Sequence, residues 1–250
     1  MIIFKILGAT FGVALGSFLG VVIDRQATGN KQQATNIGGR SRCSSCGHQL
    51  SWWENIPLVS FILLRGKCRS CYSPIPYWLP LIEIAGAAAG AAIVTMRPMS
   101  LMNLMSLIAI AAALIWIFFS DLVYGLIPDW AVILGGVGAI IWQIGQISLI
   151  WQILIALAAA AFFWLLVLVT RGRGMGTGDI TLAFFLGLWL GWPKIAVAVW
   201  LAFLIGAIVG LGLILLGRKK FGQTLPFGPF LITGAIVAYF YGGKVLSWFL

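Results

Sequence analysis

Long apolar runs occupy most of the chain, and one polar stretch near the N-terminus interrupts them. A helix that crosses the hydrocarbon core of a bilayer needs about 20 mostly apolar residues. The strands of a membrane barrel would alternate apolar and polar residues, whereas these runs are continuous. The pattern therefore predicts an all-α polytopic membrane protein with about eight transmembrane helices. We place the eight spans at residues 3–23, 77–95, 101–119, 129–146, 148–169, 180–192, 195–216 and 230–249.

The polar stretch, residues 24–76, divides the chain into three predicted parts. Residues 1–23 form the first transmembrane helix, residues 24–76 a small cytosolic insert, and residues 77–250 a seven-helix membrane core. In the first span glycine recurs every fourth residue. These glycines are Gly8, Gly12, Gly16 and Gly20. Such small-xxx-small spacing predicts close packing of this helix against a neighbour.

The composition agrees with this prediction and excludes several classes of protein. Apolar residues make up 61% of the 250 residues and charged residues 9%, against about 45–50% and about 25% in a soluble domain. The polar side chains are too few to cover a soluble particle of this size. A soluble enzyme, a disordered chain and a fibre are therefore excluded.

The excess of Lys and Arg over Asp and Glu, 16 against 6, predicts the orientation of the chain in the membrane. If the insert faces the cytoplasm, twelve basic residues lie on the cytoplasmic side and four on the other, as the positive-inside rule requires. Eight spans then place both termini outside. The net charge of +10 is thus explained by the orientation of the chain in the membrane and by some attraction to anionic lipid. We therefore expect the bilayer as a partner and no nucleic acid.

All four cysteines lie in the insert, as Cys43, Cys46, Cys68 and Cys71. Two C-x2-C pairs, 21 residues apart, each offer two thiolates and together close a tetrahedral S4 site. Thiols stay reduced in the cytoplasm, so we expect structural Zn²⁺ rather than disulfides. Four thiolates leave no open position for water, which disfavours a catalytic metal. His48 is surplus to this set, and we expect it at the surface or around the ligands.

Only six acidic residues occur in the chain, so each one can be weighed separately. Asp24 and Glu54 lie in the insert, where we expect both to be solvated. The other four lie within or at the ends of apolar spans, where an ionisable group is costly and points to function. They are Glu83, Asp121, Asp129 and Asp179.

Asp121 and Asp179 form the strongest candidate pair. Asp121 ends the third span, while Asp179 follows Gly176 and Gly178 and opens the sixth, so the topology brings both acids to one side of the membrane. Two carboxylates near a dehydrated boundary can share one proton, one acting as base toward water and the other as acid. Aspartic peptide hydrolysis requires such a pair, and the glycines would allow tight turns and close approach of an extended substrate.

Other interpretations of these acids are open at this point. Asp129 follows Pro128 and fits the first turn of the fourth span, where a carboxylate stabilises the helix dipole. Asp179 fits the same role in the sixth span, and Glu83 is expected to pair with a basic group or to stay protonated. The same carboxylates suit a proton or cation relay in a transporter equally well.

Several motifs follow one another in a characteristic order along the chain. They are Gly16-Ser17-Phe18-Leu19, both cysteine pairs around Trp53-Glu54-Asn55-Ile56-Pro57-Leu58-Val59-Ser60 with Gly66 and Lys67, then Asp121, Pro128-Asp129, Gly176-x-Gly178-Asp179 and Pro226-Phe227-Gly228-Pro229. This ordered set spans nearly the whole chain and resembles the type IV prepilin peptidases, peptidase family A24. Gly20 departs from the family pattern, which usually has Asn at that position.

The resemblance implies a GxGD-type aspartic peptidase of the bacterial inner membrane. Such enzymes cleave the basic leader of type IV prepilins or type II secretion pseudopilins on the cytosolic side, after a Gly. The two catalytic aspartates fall on Asp121 and Asp179. Asp129 matches the second acid of the D-x7-D stretch, and we count it with Gly176, Gly178 and Glu83 as supporting residues.

The resemblance also implies a second activity. The family methylates the new N-terminal residue with S-adenosylmethionine, and the insert is the part associated with that step. No glycine-rich Rossmann fingerprint follows a predicted strand in the chain. The residues that bind the methyl donor are therefore left unassigned.

Overall fold

The computed structural model describes residues 2–27, 41–96, 100–144, 149–172, 175–218 and 225–249. Within these residues the regular structure is helical, as predicted, with two isolated β-bridges in the insert, Arg42–Gln49 and Lys67–Pro74. The chain forms two compact units, Met1–Met99 and Ser100–Leu250. Each unit is built around its own helices.

The first unit contains two long helices and the insert between them. Its helices are α1 (Ile2–Ala27), a 3₁₀-helix (Trp52–Asn55), α2 (Val59–Leu63) and α3 (Trp78–Thr95). Helices α1 and α3 correspond to the first two predicted spans and pack against each other. The predicted bounds of these two spans agree with the helices to within four residues.

Glycines bring α1 and α3 into backbone contact. A Cβ on Gly12 would meet the carbonyl of Gly86, and a Cβ on Gly8 would lie 2.6 Å from the carbonyl oxygen of Gly90. On Gly16 it would lie 2.6 Å from the carbonyl oxygen of Ile82. The close packing predicted from the spacing of the glycines in α1 is therefore confirmed, and α3 supplies matching glycines that we did not single out.

The two C-x2-C segments of the insert adopt the same backbone turn. In the first, the N–H of Cys43 donates to the carbonyl of His48 at 2.9 Å; in the second, Cys68 donates to Ser73 at 2.9 Å. Both turns need a left-handed residue directly after the second cysteine, and Gly47 (φ 70°) and Tyr72 (φ 58°) fill that position. Each turn thus presents two thiols on one side.

In the described part of the second unit, six helices follow the order of the remaining six predicted spans. They are α4 (Leu101–Tyr124), α5 (Asp129–Gln143), α6 (Leu149–Val169), α7 (Thr177–Leu190), α8 (Lys194–Leu215) and α9 (Gly228–Phe249). Helix α7 packs against α5, α6, α8 and α9, and its residues Phe185 to Leu190 are buried. Helix α7 is therefore the centre of this unit.

A buried amide completes the C-terminal end of α7. The Gln143 side chain, at the end of α5, donates to the carbonyl oxygens of Leu188 at 3.3 Å and Trp189 at 3.2 Å. Carbonyls in the last turn of a helix lack intrahelical partners, so this contact satisfies groups that would otherwise be buried without one.

Five helices in the described residues are long and apolar enough to cross a membrane: α1, α3, α4, α6 and α8. Helices α5 and α7 are apolar but contain 15 and 14 residues, and α7 is only about 21 Å long at 1.5 Å per residue. The chain is therefore an all-helical membrane protein. The number of eight spans stays a prediction.

Candidate active site

A cavity of about 700 Å³ opens in the second unit, where α4 ends and α7 begins. Five of the residues singled out in the sequence line it. They are Asp121, Asp129, Gly176, Gly178 and Asp179. Apolar side chains from the turn after α4 and from the segment before α9 complete the wall, among them Leu126, Ile127, Leu225 and Phe227.

Asp121 lies in the last turn of α4 and is buried, with 6% of the residue exposed. The helix stops four residues later at Gly125, whose left-handed backbone (φ 64°) lets its N–H close the turn onto the Asp121 carbonyl. On the side chain, Oδ2 accepts a hydrogen bond of 2.8 Å from the backbone N–H of Gly228. That bond connects the end of α4 to the start of α9.

Gly228 has no room for a side chain. A Cβ at this position would lie 2.6 Å from Oδ2 of Asp121 and 3.2 Å from its Cγ. In the sequence, Gly228 is only part of the Pro226-Phe227-Gly228-Pro229 motif, and no contact is predicted for it. The available signal was a glycine directly before Pro229 at the start of an apolar run, which marks a special backbone position without identifying its partner.

Asp179 lies in the first turn of α7 and is equally buried, with 6% of the residue exposed. Its Oδ2 accepts a hydrogen bond of 3.0 Å from the N–H of Gly176, which precedes the helix. This is the capping contact that the sequence suggested for Asp179. Because the same side chain lines the cavity, capping and chemistry are compatible here.

Both aspartates line the same cavity, Asp121 from the end of α4 and Asp179 from the beginning of α7. Each accepts a backbone N–H from a glycine through Oδ2, so both carboxylates are held in place on the wall of one cavity. Two adjacent buried carboxylates cannot both ionise easily and tend to share a proton. This arrangement can activate a water molecule and protonate a leaving group.

Neither glycine of the Gly176-x-Gly178-Asp179 motif has a left-handed backbone. Gly176 has an extended backbone (φ −83°, ψ 160°) and Gly178 lies in the first turn of α7. A Cβ on Gly178 would lie 3.0 Å from Cβ of Ile127. Gly178 is therefore required for close packing against the turn after α4, which positions Asp179 relative to Asp121.

Asp129 begins α5 at the edge of the same cavity and is exposed. Buried Pro128 occupies the N-cap position before it. The location suits both the helix-dipole role and a supporting role at the cavity. Asp129 therefore differs from Asp121 and Asp179, which are both buried.

Glu83 and Glu54 belong to the first unit. The half-buried Glu83 accepts a hydrogen bond of 2.7 Å from the N–H of Leu58. Its described partner is therefore a backbone donor and not a basic group, which was one of the two roles expected for it. The expectation that Glu54 is solvated is wrong. Glu54 is 6% exposed, accepts a 2.7 Å bond from the N–H of Ser51, and lies 3.7 Å from Nε2 of His48.

The four cysteines form a compact cluster in which every pair of sulfurs lies within 4.8 Å. The Sγ atoms of Cys43 and Cys71 are 3.9 Å apart, and those of Cys46 and Cys68 are 4.0 Å apart. A tetrahedral zinc ion with bonds of about 2.3 Å needs neighbouring sulfurs about 3.8 Å apart. The cluster therefore fits a tetrahedral S4 metal site.

Ser73 also belongs to this cluster and was not among the residues predicted from the sequence. Its hydroxyl lies 3.1 Å from Sγ of Cys71 and 3.7 Å from Sγ of Cys43. Burial acts to raise the pKa of the Cys43 thiol, but backbone groups of Cys46 and Ser45 and the Ser73 hydroxyl stabilise its thiolate and lower that pKa to about 6. A thiol that ionises readily at neutral pH suits a metal ligand.

Two family models match the chain. The Bacterial Peptidase A24 N-terminal domain matches residues 10–97, and the Type IV leader peptidase family matches residues 108–211. The second match includes Asp121, Asp129 and Asp179, the three acids that line the cavity.

Curated relatives cover nearly the whole chain. A prepilin leader peptidase/N-methyltransferase of Burkholderia pseudomallei (strain 1026b) is 34% identical over 92% of this chain and 83% of its own length. The corresponding protein of Aeromonas hydrophila is 32% identical over 96% of this chain and 91% of its own length. That of Stutzerimonas stutzeri is 30% identical over 99% of this chain and 94% of its own length. No solved structure shows a significant match to the chain.

Proposed function

Because the chain belongs to the type IV leader peptidase family, we propose that Asp121 and Asp179 are the catalytic pair of this membrane peptidase. The observation that carries the proposal is that both carboxylates are buried on the wall of one cavity, each anchored by a glycine N–H. They come from different helices, 58 positions apart in the chain. Of the acids that line this cavity, they are the two that are buried.

The pair would work as an aspartic peptidase. One carboxylate accepts a proton from a water molecule while the water oxygen attacks the scissile carbonyl carbon, and the other, protonated, carboxyl donates its proton to the carbonyl oxygen. A proton then passes to the amide nitrogen as the C–N bond breaks, which releases a carboxylic acid and an amine. Since Oδ2 of each aspartate accepts a glycine N–H, we assign the water to the two Oδ1 atoms.

We further infer that the substrate is a prepilin or pseudopilin and that its leader is cleaved after a Gly on the cytosolic side of the inner membrane. The names of the relatives support a prepilin substrate. The cavity combines the aspartates with apolar residues such as Leu126 and Phe227, which suits a chain segment that continues into the bilayer. The positive-inside count supports the cytosolic side.

The relatives are also named N-methyltransferases, and we propose that this chain methylates the new N-terminus with S-adenosylmethionine. The methyl donor would supply the transferred methyl group. We place this step in the part of the chain that includes the insert, residues 24–76, and keep the seven-helix core, residues 77–250, for proteolysis.

The cysteine cluster is proposed to hold a structural Zn²⁺ in the insert. Cys43, Cys46, Cys68 and Cys71 would be its four ligands, and their spacing fits a tetrahedral ion. A site closed by four thiolates stabilises a fold and does not activate water. The ion would hold the two cysteine turns together.

The proposal is tested by incubating the purified full-length protein with a prepilin and S-adenosylmethionine and measuring the mass of the product N-terminus. Asp121→Asn and Asp179→Asn preserve side-chain size but remove the acid–base function, so each should lower the cleavage rate by about 10²–10⁴-fold. Asp24→Asn, on α1 and not among the residues that line the cavity, is the matched control and should cleave normally.

Two outcomes would contradict the proposal. Normal cleavage by either cavity variant would exclude the pair as the catalytic group. Proton flux in proteoliposomes without any prepilin cleavage would favour the transporter interpretation of the same acids.

A further inference from the structure

An apolar segment in the middle of the polar insert has no role in the proposed chemistry. Residues 56–64, which we call the apolar turn, contain Ser60 as their only polar side chain. The segment includes the short helix α2, Val59–Leu63. It lies outside the predicted spans, so its apolar character needs a separate explanation.

The apolar turn exposes several of its aliphatic side chains instead of burying them. Ile62 is 73% exposed and Leu63 67% exposed, and no residue of α2 is buried. A five-residue helix that left these side chains in water would gain nothing from them, since burying one aliphatic side chain is worth about 1.5–3 kcal/mol. The exposed face therefore requires a partner.

Glu83 fixes the apolar turn beside the beginning of α3. The N–H of Leu58 donates to the Glu83 carboxylate at 2.7 Å, and Leu58 is held there in an unusual backbone conformation (φ 59°, ψ −44°). Glu83 lies five residues after Trp78, the first residue of α3, which is about 7.5 Å along the helix axis. The apolar turn thus lies alongside the first turns of a membrane-spanning helix.

A second contact joins the same two segments. The ring of Phe61 packs edge-on against the ring of Tyr77, with centroids 6.5 Å apart. Tyr77 directly precedes α3 and Trp78 is its first residue. Aromatic residues at the end of a span are typical of the membrane–water interface. The apolar turn therefore lies at the depth at which α3 enters the bilayer.

Basic side chains follow the apolar turn directly. Arg65, Lys67 and Arg69 are all exposed, and the segment from residue 56 to residue 77 contains no acidic residue. Exposed aliphatic side chains next to Lys and Arg are typical of segments that lie in the interface of an anionic membrane. The charge is complementary to lipid phosphates.

We propose that the apolar turn is a membrane-interface anchor, with Ile62 and Leu63 inserted at the acyl boundary and Arg65 and Lys67 on anionic headgroups. The insert is then held at the bilayer surface by α1, by α3 and by this anchor. Glu83 acts as a positioning residue that sets the depth of the apolar turn through the Leu58 N–H. This inference is independent of the catalytic roles of the aspartates.

The test uses the full-length protein in nanodiscs of zwitterionic lipid alone or mixed with phosphatidylglycerol. The photocrosslinking residue p-benzoylphenylalanine replaces Ile62 in one variant and Ser44, an exposed residue of the first cysteine turn, in the control. We expect lipid adducts at position 62 to exceed those at position 44 about tenfold or more, because burial of one aliphatic side chain is worth at least that factor. Adducts to another protein chain in place of lipid would overturn the proposal.

The charge contribution is tested separately. Each of Arg65→Gln and Lys67→Gln should reduce the lipid adduct at position 62 by about fivefold in phosphatidylglycerol nanodiscs and leave it unchanged in zwitterionic ones. Equal losses in both lipids would exclude headgroup recognition.

A measurement on the unsubstituted protein guards against misfolded variants. Amide hydrogen exchange in phosphatidylglycerol nanodiscs should be slower in residues 59–64 than in the turn of residues 44–47, since a five-residue helix in water offers little protection. Equally fast exchange in the two segments would overturn the anchor.

Discussion

The aspartates of the cavity are held by backbone N–H groups of glycines. Gly228 donates to Asp121 and Gly176 donates to Asp179, and both donors stand at the beginning of a helix. The N–H groups of a first helical turn lack intrahelical partners and carry partial positive charge. Such a donor orients a carboxylate without the full charge of a Lys or Arg, so the pair can still share a proton.

Gly228 is the residue at which this positioning can be tested most directly. In Gly228→Ala the backbone N–H remains, but the added Cβ would lie 2.6 Å from Oδ2 of Asp121, so the carboxylate must move. A displacement of about 1 Å costs about 100-fold in rate. We expect kcat to fall by about that factor in a prepilin cleavage assay while KM changes little.

The control for this variant lies in the same helix. Gly243 has open space around its Cβ position, so Gly243→Ala should retain the rate of the unmodified protein. A normal kcat for Gly228→Ala, or an equal loss in both variants, would refute the positioning role of Gly228.

At the scale of elements, the insert is organised by two equivalent cysteine turns. Their backbone hydrogen bonds match, and they bring the four sulfurs within 4.8 Å of one another. Between them, Glu54 is buried beside His48 and accepts the Ser51 N–H. The acid and the histidine thus connect the first cysteine turn to the 3₁₀-helix.

Removal of one ligand should empty the metal site. In Cys68→Ser the buried sulfur of the second turn is lost, and we expect the zinc content of the purified protein to fall from about one equivalent to near zero. Elemental analysis measures this directly. The matched control is Ser70→Ala, an exposed residue of the same turn; equal zinc contents in the two variants would contradict the S4 site.

Substitution by alanine should change the stability of the protein in opposite directions at two glycines, one in the contact between α1 and α3 and one outside it. A Cβ on Gly12 would meet the carbonyl of Gly86, whereas Gly212 in α8 has open space. Gly12→Ala should therefore lower the stability of the protein by about 1–3 kcal/mol through overpacking. In Gly212→Ala the better helix propensity of Ala should raise it by up to about 1 kcal/mol.

Thermal unfolding of the detergent-solubilised protein compares these two variants. If Gly12→Ala is as stable as Gly212→Ala, the backbone contact between α1 and α3 is not a determinant of stability.

At the scale of the whole molecule, eight helices of the described residues correspond to predicted spans. Two of them, α5 and α7, contain only 15 and 14 residues, which raises the question of how they cross the membrane. Helix α7 measures about 21 Å, less than the roughly 30 Å of hydrocarbon. A short span is accommodated by local thinning of the bilayer or by packing within a bundle. Helix α7 is surrounded by α5, α6, α8 and α9, so protein rather than lipid covers most of it.

The topology follows from whether all eight helices span. If the insert faces the cytoplasm, as the count of basic residues predicts, eight spans place the C-terminus outside. We expect alkaline phosphatase fused after the C-terminus to be active, and green fluorescent protein inserted after Gln33, outside both cysteine pairs, to fluoresce. An inactive phosphatase fusion together with a fluorescent insert would mean an odd number of spans.

Much of the architecture was predictable from the sequence because the bilayer imposes local rules. Apolar run lengths indicated the positions of eight helices in the described residues. The spacing of Gly8, Gly12 and Gly16 indicated close packing, and the paired cysteines indicated a metal cluster. Each of these is a property of neighbouring residues, readable without knowledge of the fold. Asp121 and Asp179 were named in the same way, since acids at the ends of apolar runs are rare.

Only the tertiary structure decided which distant residues meet. The bond from Gly228 to Asp121 joins positions 107 apart, Ile127 packs on Gly178, and Leu58 donates to Glu83. A backbone N–H has no side-chain identity, so no pattern of residue types reveals where it donates. Burial of Glu54 was not predicted for the same reason. Its partner is the N–H of Ser51, whereas the charge of the side chain by itself suggested exposure to water.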